Sequence, residues 1–191
     1  LAEQIAQKAS ASKVLSLDAP VSGGDIGAKA GTLAIMCGGE QEAFARAEPF
    51  LQILGDKIKY FGGPGSGQRV KMSNQILIAS TMVGMVESML YAETAGLKVS
   101  DVIELIGKGA AGCWSINNLG PRIVKEDWAP GFYIKHFLKD MRIALEDSKR
   151  MGLNLEGLAL AQRFYSLADS YDWENDGTQA LMKIIRQINA S

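Results

Sequence analysis

The chain has 191 residues, 47% of them apolar, and a formal net charge of −1. That length allows one large domain or two small ones with a packed core, and the near-neutral charge leaves no basic footprint for nucleic acid. Two distant cysteines, Cys37 and Cys113, form neither a CxxC pair nor a disulfide framework and are expected as free thiols of a reducing compartment; a lone histidine, His136, argues against a His-rich metal centre.

Residues 1–10 have helical composition without an initiator Met or a cap, so an upstream region is expected before Leu1, with any targeting signal inside it. No signal peptide is visible, and localisation stays open between cytoplasm and mitochondrial matrix. Residues 13–18 read as a short strand, and residues 31–38 as a second one bounded by glycines. Residues 40–54 pattern as an amphipathic helix with Phe44, Ala47, Phe50, Leu51 and Leu54 on one side and Pro49 as the place for a kink. Residues 57–61 form a third strand, and strand, helix, strand implies part of an open α/β sheet.

A glycine-rich turn over residues 62–67 follows, and from there the pattern is helical to the end. Residues 68–95 contain no proline and predict a helix of about 40 Å. Its apolar run over 76–86 carries Ser80 and Thr81 and meets Glu87. The run is shorter than the ~20 residues that a bilayer needs, so a buried central helix is expected. Gly96 is expected as its C-cap. Ser100 is expected to cap the next helix, with Asp101 and Glu104 in its first turn. Three more helices are expected over about 137–151, 155–171 and 178–189, with residues 172–177 as a loop. The fold class is thus an α/β portion followed by an all-α domain built on one long central helix.

Three segments carry polar groups suited to chemistry. The glycine turn sits between a strand and a helix, the context of a phosphate cradle. It lacks the Gly-Lys-Ser/Thr of a P-loop, and a dinucleotide fingerprint would need a small residue at Val70. Two readings stay open: a tight turn needing positive φ, or a turn that also shapes a site. After it, Lys71, Asn74 and Gln75 share one helix face, which continues through apolar Ile78 and Ala79. Such a lysine either snorkels or is a general acid/base with a pKa lowered by burial and the positive helix end. Asp18-Ala-Pro-Val-Ser-Gly-Gly24 leaves the first strand; Ser22 offers a hydroxyl, and Gly23 and Gly24 let backbone N–H groups approach a carboxylate. Lys139 and Asp140 are expected to open a helix as a charge pair.

Taken in order, Asp18-Ala-Pro-Val-Ser-Gly-Gly24, Gly31-Thr-Leu-Ala-Ile-Met-Cys-Gly-Gly39, Gly65-Ser-Gly-Gln-Arg-Val-Lys71 and Lys139-Asp-Met141 resemble the β-hydroxyacid dehydrogenases. That family includes 3-hydroxyisobutyrate dehydrogenase, tartronate semialdehyde reductase and, more distantly, 6-phosphogluconate dehydrogenase. Gly112-Cys-Trp-Ser115 is similar to the hydroxyisobutyrate branch.

The resemblance implies that residues 1–63 are the rear part of an NAD(P)-binding Rossmann domain, with the dinucleotide loop upstream of Leu1. It implies that residues 64–191 are a helical substrate-binding and dimerisation domain. The cofactor would be NAD or NADP, and the reaction a hydride transfer to or from a small 3-hydroxyacid. By carry-over, Lys71 would be the acid/base, and Ser22, Gly23 and Gly24 would hold the substrate carboxylate. Asn74 or Gln75 would orient the substrate, Trp114 and Ser115 would line its pocket, and Lys139 would lie near the nicotinamide. A homodimer or homotetramer through the helical domain is expected, because the face of the long helix with Ile76, Met82 and Met89, together with the later helices, carries more apolar surface than a 128-residue unit easily buries. The competing reading is a catalytically inactive piece or paralogue that serves as a helical assembly module. By itself the 191-residue chain is expected to be inactive.

Overall fold

The computed structural model describes residues 1–190. It contains two compact units, Leu1–Asn74 and Gln75–Ser191.

The first unit opens with α1 (Ala2–Ala11) and is built on a four-stranded sheet. Its strands are β1 (Leu17–Asp18), β2 (Val21–Ser22), β3 (Ala34–Gly39) and β4 (Lys57–Tyr60). β1 and β2 behave as one interrupted edge strand. Leu17 and Asp18 pair antiparallel with Gly39 and Gly38, and Val21 and Ser22 pair with Ile35 and Ala34, all in a single register. The Met36 N–H donates to Pro20 O in the same register. Pro20 has no N–H to return, so the ladder breaks there, and an edge is where a strand tolerates that. The expected strand over 13–18 is therefore displaced toward the C-terminus: Lys13 has φ +56°, and Val14 N–H turns back to Ala9 O.

On its other edge β3 pairs in parallel with β4, connected by α3 (Gln41–Leu54), as strand, helix, strand implied. Leu33, Ile35 and Cys37 form the buried centre, packed by Leu17, Ala19, Phe44, Leu51, Ile58 and Tyr60. The apolar side expected for α3 is half correct. Phe44 and Leu51, two turns apart, pack inward, whereas Phe50 is 71% exposed and Leu54 50%. Phe50 precedes Leu51 by one residue, about 100° around the helix. A further short helix not predicted from the sequence, α2 (Gly24–Ala30), follows Ser22; two glycines and two alanines among its seven residues give no apolar stripe to detect.

α4 (Ser66–Thr94) runs across the boundary between the units. It ends on Gly96 at φ +75°, with Gly96 N–H on Glu93 O and Leu97 N–H on Ala92 O, a Schellman closure. One face is buried through Gln75, Ala79, Met82, Val86 and Met89. Met82 and Met89 are therefore core residues, and the apolar surface expected in excess on their face is buried within the single chain, with Ile76 partly so. The outward positions are Leu77, Ser80, Gly84, Glu87 and Tyr91.

The second unit continues with α5 (Val99–Ile106), α6 (Trp114–Asn118), α7 (Gly120–Val124), α8 (Ile134–Arg150), α9 (Glu156–Ser166) and α10 (Leu181–Ala190). Ser100 does not cap α5: the helix begins at Val99 with Lys98 at the N-cap, and Ser100 Oγ turns to Asp101. α6 and α7 escaped the sequence reading because five-residue helices show no period. α9 passes into a 3₁₀ turn, Leu167–Tyr171, and another, Thr178–Ala180, precedes α10. Among the described residues of this unit no strand forms; Tyr133 and Gly177 make an isolated bridge. The core gathers Phe137, Met141, Leu158, Tyr165, Leu181 and Ile184. Tyr165, wholly buried, donates its hydroxyl to Thr178 O at 2.8 Å.

Candidate active site

The glycine turn is settled by its hydrogen bonds. Gly62 and Gly65 sit at φ +117° and +87°, conformations that residues with a side chain rarely adopt. The Asp18 carboxylate accepts the Gly65 N–H at 2.7 Å and the Gln68 N–H at 2.9 Å. Two of the N–H groups that a phosphate cradle would offer are thus taken by a carboxylate, and the turn is a capped helix start.

Within the first unit, two of the three polar segments come together. Lys71 Nζ donates to Val21 O at 2.9 Å, immediately before Ser22, Gly23 and Gly24. Ser22 is half-buried and fixed by its pairing with Ala34. Gly23 and Gly24 have φ +132° and +63° and are exposed. Lys71 and Asn74 are both half-buried on α4.

Within the second unit the remaining residues divide into two groups. Gln75 is 1% exposed and donates from Nε2 to Asp140 Oδ2 at 2.8 Å. The other Asp140 oxygen lies 3.0 Å from Lys139 Nζ, with that lysine side chain 54% exposed and the Asp140 side chain 9%. Lys139 and Asp140 were expected to open a helix but sit about one and a half turns inside α8, which starts at Ile134. The helix begins earlier because Ile134 is itself a core residue and extends the buried stripe. Ser115 is buried and shares a 3.3 Å hydrogen bond with Thr81 Oγ1. Trp114, its neighbour, is 68% exposed.

Two acidic residues have partners that the sequence did not show. Asp18 opens the Asp18–Gly24 segment, yet its helix-capping partners lie 47 and 50 positions away. Asp140 carried a readable signal: it falls on the apolar stripe of α8 between Phe137 and Ala144, where a lone carboxylate requires partners.

The chain is similar to known proteins over nearly all its length. Residues 1–62 match the family model for the NAD binding domain of 6-phosphogluconate dehydrogenase. Residues 65–185 match that for the NAD-binding of NADP-dependent 3-hydroxyisobutyrate dehydrogenase. An uncharacterised oxidoreductase of Bacillus subtilis is 50% identical over 96% of this chain and 64% of its own length. A probable mitochondrial 3-hydroxyisobutyrate dehydrogenase-like protein of Arabidopsis thaliana is 48% identical over 99% of the chain and 56% of its own. The chain thus spans less than two thirds of these relatives. The 3-hydroxyisobutyrate dehydrogenase of Mycobacterium tuberculosis, solved with L-serine, superposes with a TM-score of 0.89 at 29% identity, covering 97% of this chain and 66% of that one. The cofactor class of both family models is a nicotinamide dinucleotide, NAD or NADP. With two NAD-binding models together matching nearly all its length, and with relatives this similar, the chain belongs to the β-hydroxyacid dehydrogenase family.

Proposed function

We propose that the whole protein is an NAD(P)-dependent dehydrogenase of a small 3-hydroxyacid, 3-hydroxyisobutyrate-like, with Lys71 as its general acid/base. The observation that carries this reading is the bond from Lys71 Nζ to Val21 O. It holds the amine at the foot of a loop whose hydroxyl and glycine N–H groups suit a carboxylate. In a 3-hydroxyacid the carboxylate and the reacting hydroxyl are two carbons apart, so neighbouring groups on the protein can serve both. The M. tuberculosis relative was solved with L-serine, which carries a carboxylate and a 3-hydroxyl.

The division of labour follows from the chemistry. A bound nicotinamide would supply the hydride acceptor or donor. Lys71 takes the proton from the hydroxyl oxygen in oxidation and returns it in reduction, a role worth roughly 10²- to 10⁴-fold. Either protonation state of the amine can keep an N–H on Val21 O, so that contact orients the group while another site on the nitrogen exchanges the proton. Ser22, Gly23 and Gly24 hold the carboxylate. The orienting amide is assigned to Asn74, because Gln75 is buried and bonded to Asp140. Lys139, half-exposed beside Asp140, fits the nicotinamide end of the cofactor as a donor to a carbonyl or ribose oxygen. Trp114 is the pocket-lining candidate, while the buried Ser115 supports it from within. Residues 1–63 are assigned to the rear of the NAD(P)-binding domain and 64–191 to a substrate-binding and assembly domain.

The test is made on the full-length protein with a panel of 3-hydroxyacids. Lys71→Ala is expected to lower kcat by about 10²-fold or more with cofactor Kd nearly unchanged. Turnover that survives Lys71→Ala intact would remove the lysine from the chemistry.

A further inference from the structure

We infer that Asp18 is a positioning residue for Lys71, acting through the first turn of α4; the inference rests on the acid/base reading of Lys71. Asp18 spans the start of that helix with both oxygens, one on Gly65 N–H at 2.7 Å and one on Gln68 N–H at 2.9 Å. Ser66 is the first helical residue, so these are the N–H groups of the N-cap and N3 positions. In a local capping box two side chains share that work. Gly65 has no side chain to contribute, and a carboxylate from a distant edge strand does both. Its negative charge also lies at the positive end of a long helix.

The same edge strand meets the helix a second time. Lys71, six residues after Gly65 and about 9 Å further along the axis, donates to Val21 O. Asp18 and Val21 are three residues apart and are both clamped on β3, through Gly38 and Ile35. The helix is thus tied to one strand at two points, the first of which fixes the direction in which the second is made. The approach is close. A Cβ on Gly38 would lie 2.5 Å from Gly67 N and 2.9 Å from Asp18 Oδ1, and one on Gly67 would run into Met36 O. Contact this tight lets a lost Asp18 bond be felt as a shift of the helix start. Ser22 keeps its own pairing with Ala34, so the carboxylate loop does not depend on Asp18.

That separation gives the test, on the full-length protein. Asp18→Asn removes the charge and turns one acceptor into a donor facing an N–H. It is expected to lower kcat about 10-fold or more while KM for the hydroxyacid changes less than twofold. In a Lys71→Ala background the same substitution is expected to cost less than twofold, because its route to the reaction is already gone. An equal loss in both backgrounds, or a rise in KM alone, overturns the proposal. Independently of turnover, the rate of reductive methylation at Lys71 relative to the other lysines should change at least threefold in Asp18→Asn; an unchanged rate overturns it too. Loss of turnover dependence on Lys71 itself would instead sink the acid/base reading, with the methylation result still deciding the positioning. Should Asp18→Asn fail to fold, Asp18→Ser, which keeps one uncharged acceptor, carries the same measurements.

Discussion

In the proposed mechanism, Lys71 and Ser22 separate proton transfer from binding at the level of single side chains. A guanidinium stays protonated at any pH the protein survives, so Lys71→Arg should keep the positive charge yet leave kcat about as low as Lys71→Ala. Near-normal turnover of Lys71→Arg in steady-state assays would reduce the lysine to an electrostatic anchor. Ser22→Ala should act differently, raising KM severalfold with little change in kcat, because a carboxylate contact is made in ground and transition state alike. Cys37 shows the effect of burial on a group outside the site. Desolvation first, and then the Asp18 and Glu48 carboxylates, push its thiol above the usual range. The thiolate is the reactive form, so in native protein at neutral pH iodoacetamide should label half-buried Cys113 well before Cys37. Equal labelling of both before unfolding would contradict that burial.

Elements show why some of the fold was readable. Helices α3, α4, α8 and α10 carry enough residues for their apolar period to emerge, and β3 and β4 are flanked by breakers. The edge strand was misplaced because Pro20 and the glycines after it look like a loop; only the partner strand β3 makes residues 17–22 a strand. α6 and α7 are too short for periodicity. Where α9 gives way to the segment before α10, Tyr165 pins Thr178 O from the core. Tyr165→Phe would remove that hydroxyl bond and leave the carbonyl its backbone N–H partner at the start of α10, at a cost of about 0.5–1.5 kcal/mol. Urea unfolding should report it as a lower midpoint with an unchanged slope.

For the whole molecule, the outward face of α4 is the surface through which copies of the protein are proposed to assemble. Leu77, Ser80, Gly84, Glu87 and Tyr91 repeat at spacings of three and four and are all exposed, with Leu77 at 66% and Tyr91 at 77%. Isolated surface apolar residues need no explanation, but a stripe with a glycine at its centre fits a close helix–helix contact. A Cβ on Gly84 meets nothing within 4 Å in the single chain. Gly84→Trp should therefore leave the fold of one copy intact while splitting a homodimer or homotetramer, read by light scattering at micromolar concentration. A wild-type monomer in that experiment would end the assembly proposal.

The sequence by itself determined the alternation of strand and helix, the long central helix and the family, because periodicity, breakers and ordered motifs are local properties of the chain. It also placed Lys71, Asn74 and Gln75 on one helical face, since 3.6 residues per turn requires it. Tertiary structure decided what each of these residues touches. Gln75 went into the core against Asp140, Met82 and Met89 turned inward, and the glycine turn became a helix start capped from 47 residues away. Such pairings join residues far apart in the chain, and a one-dimensional pattern carries neither the burial nor the distance that selects them.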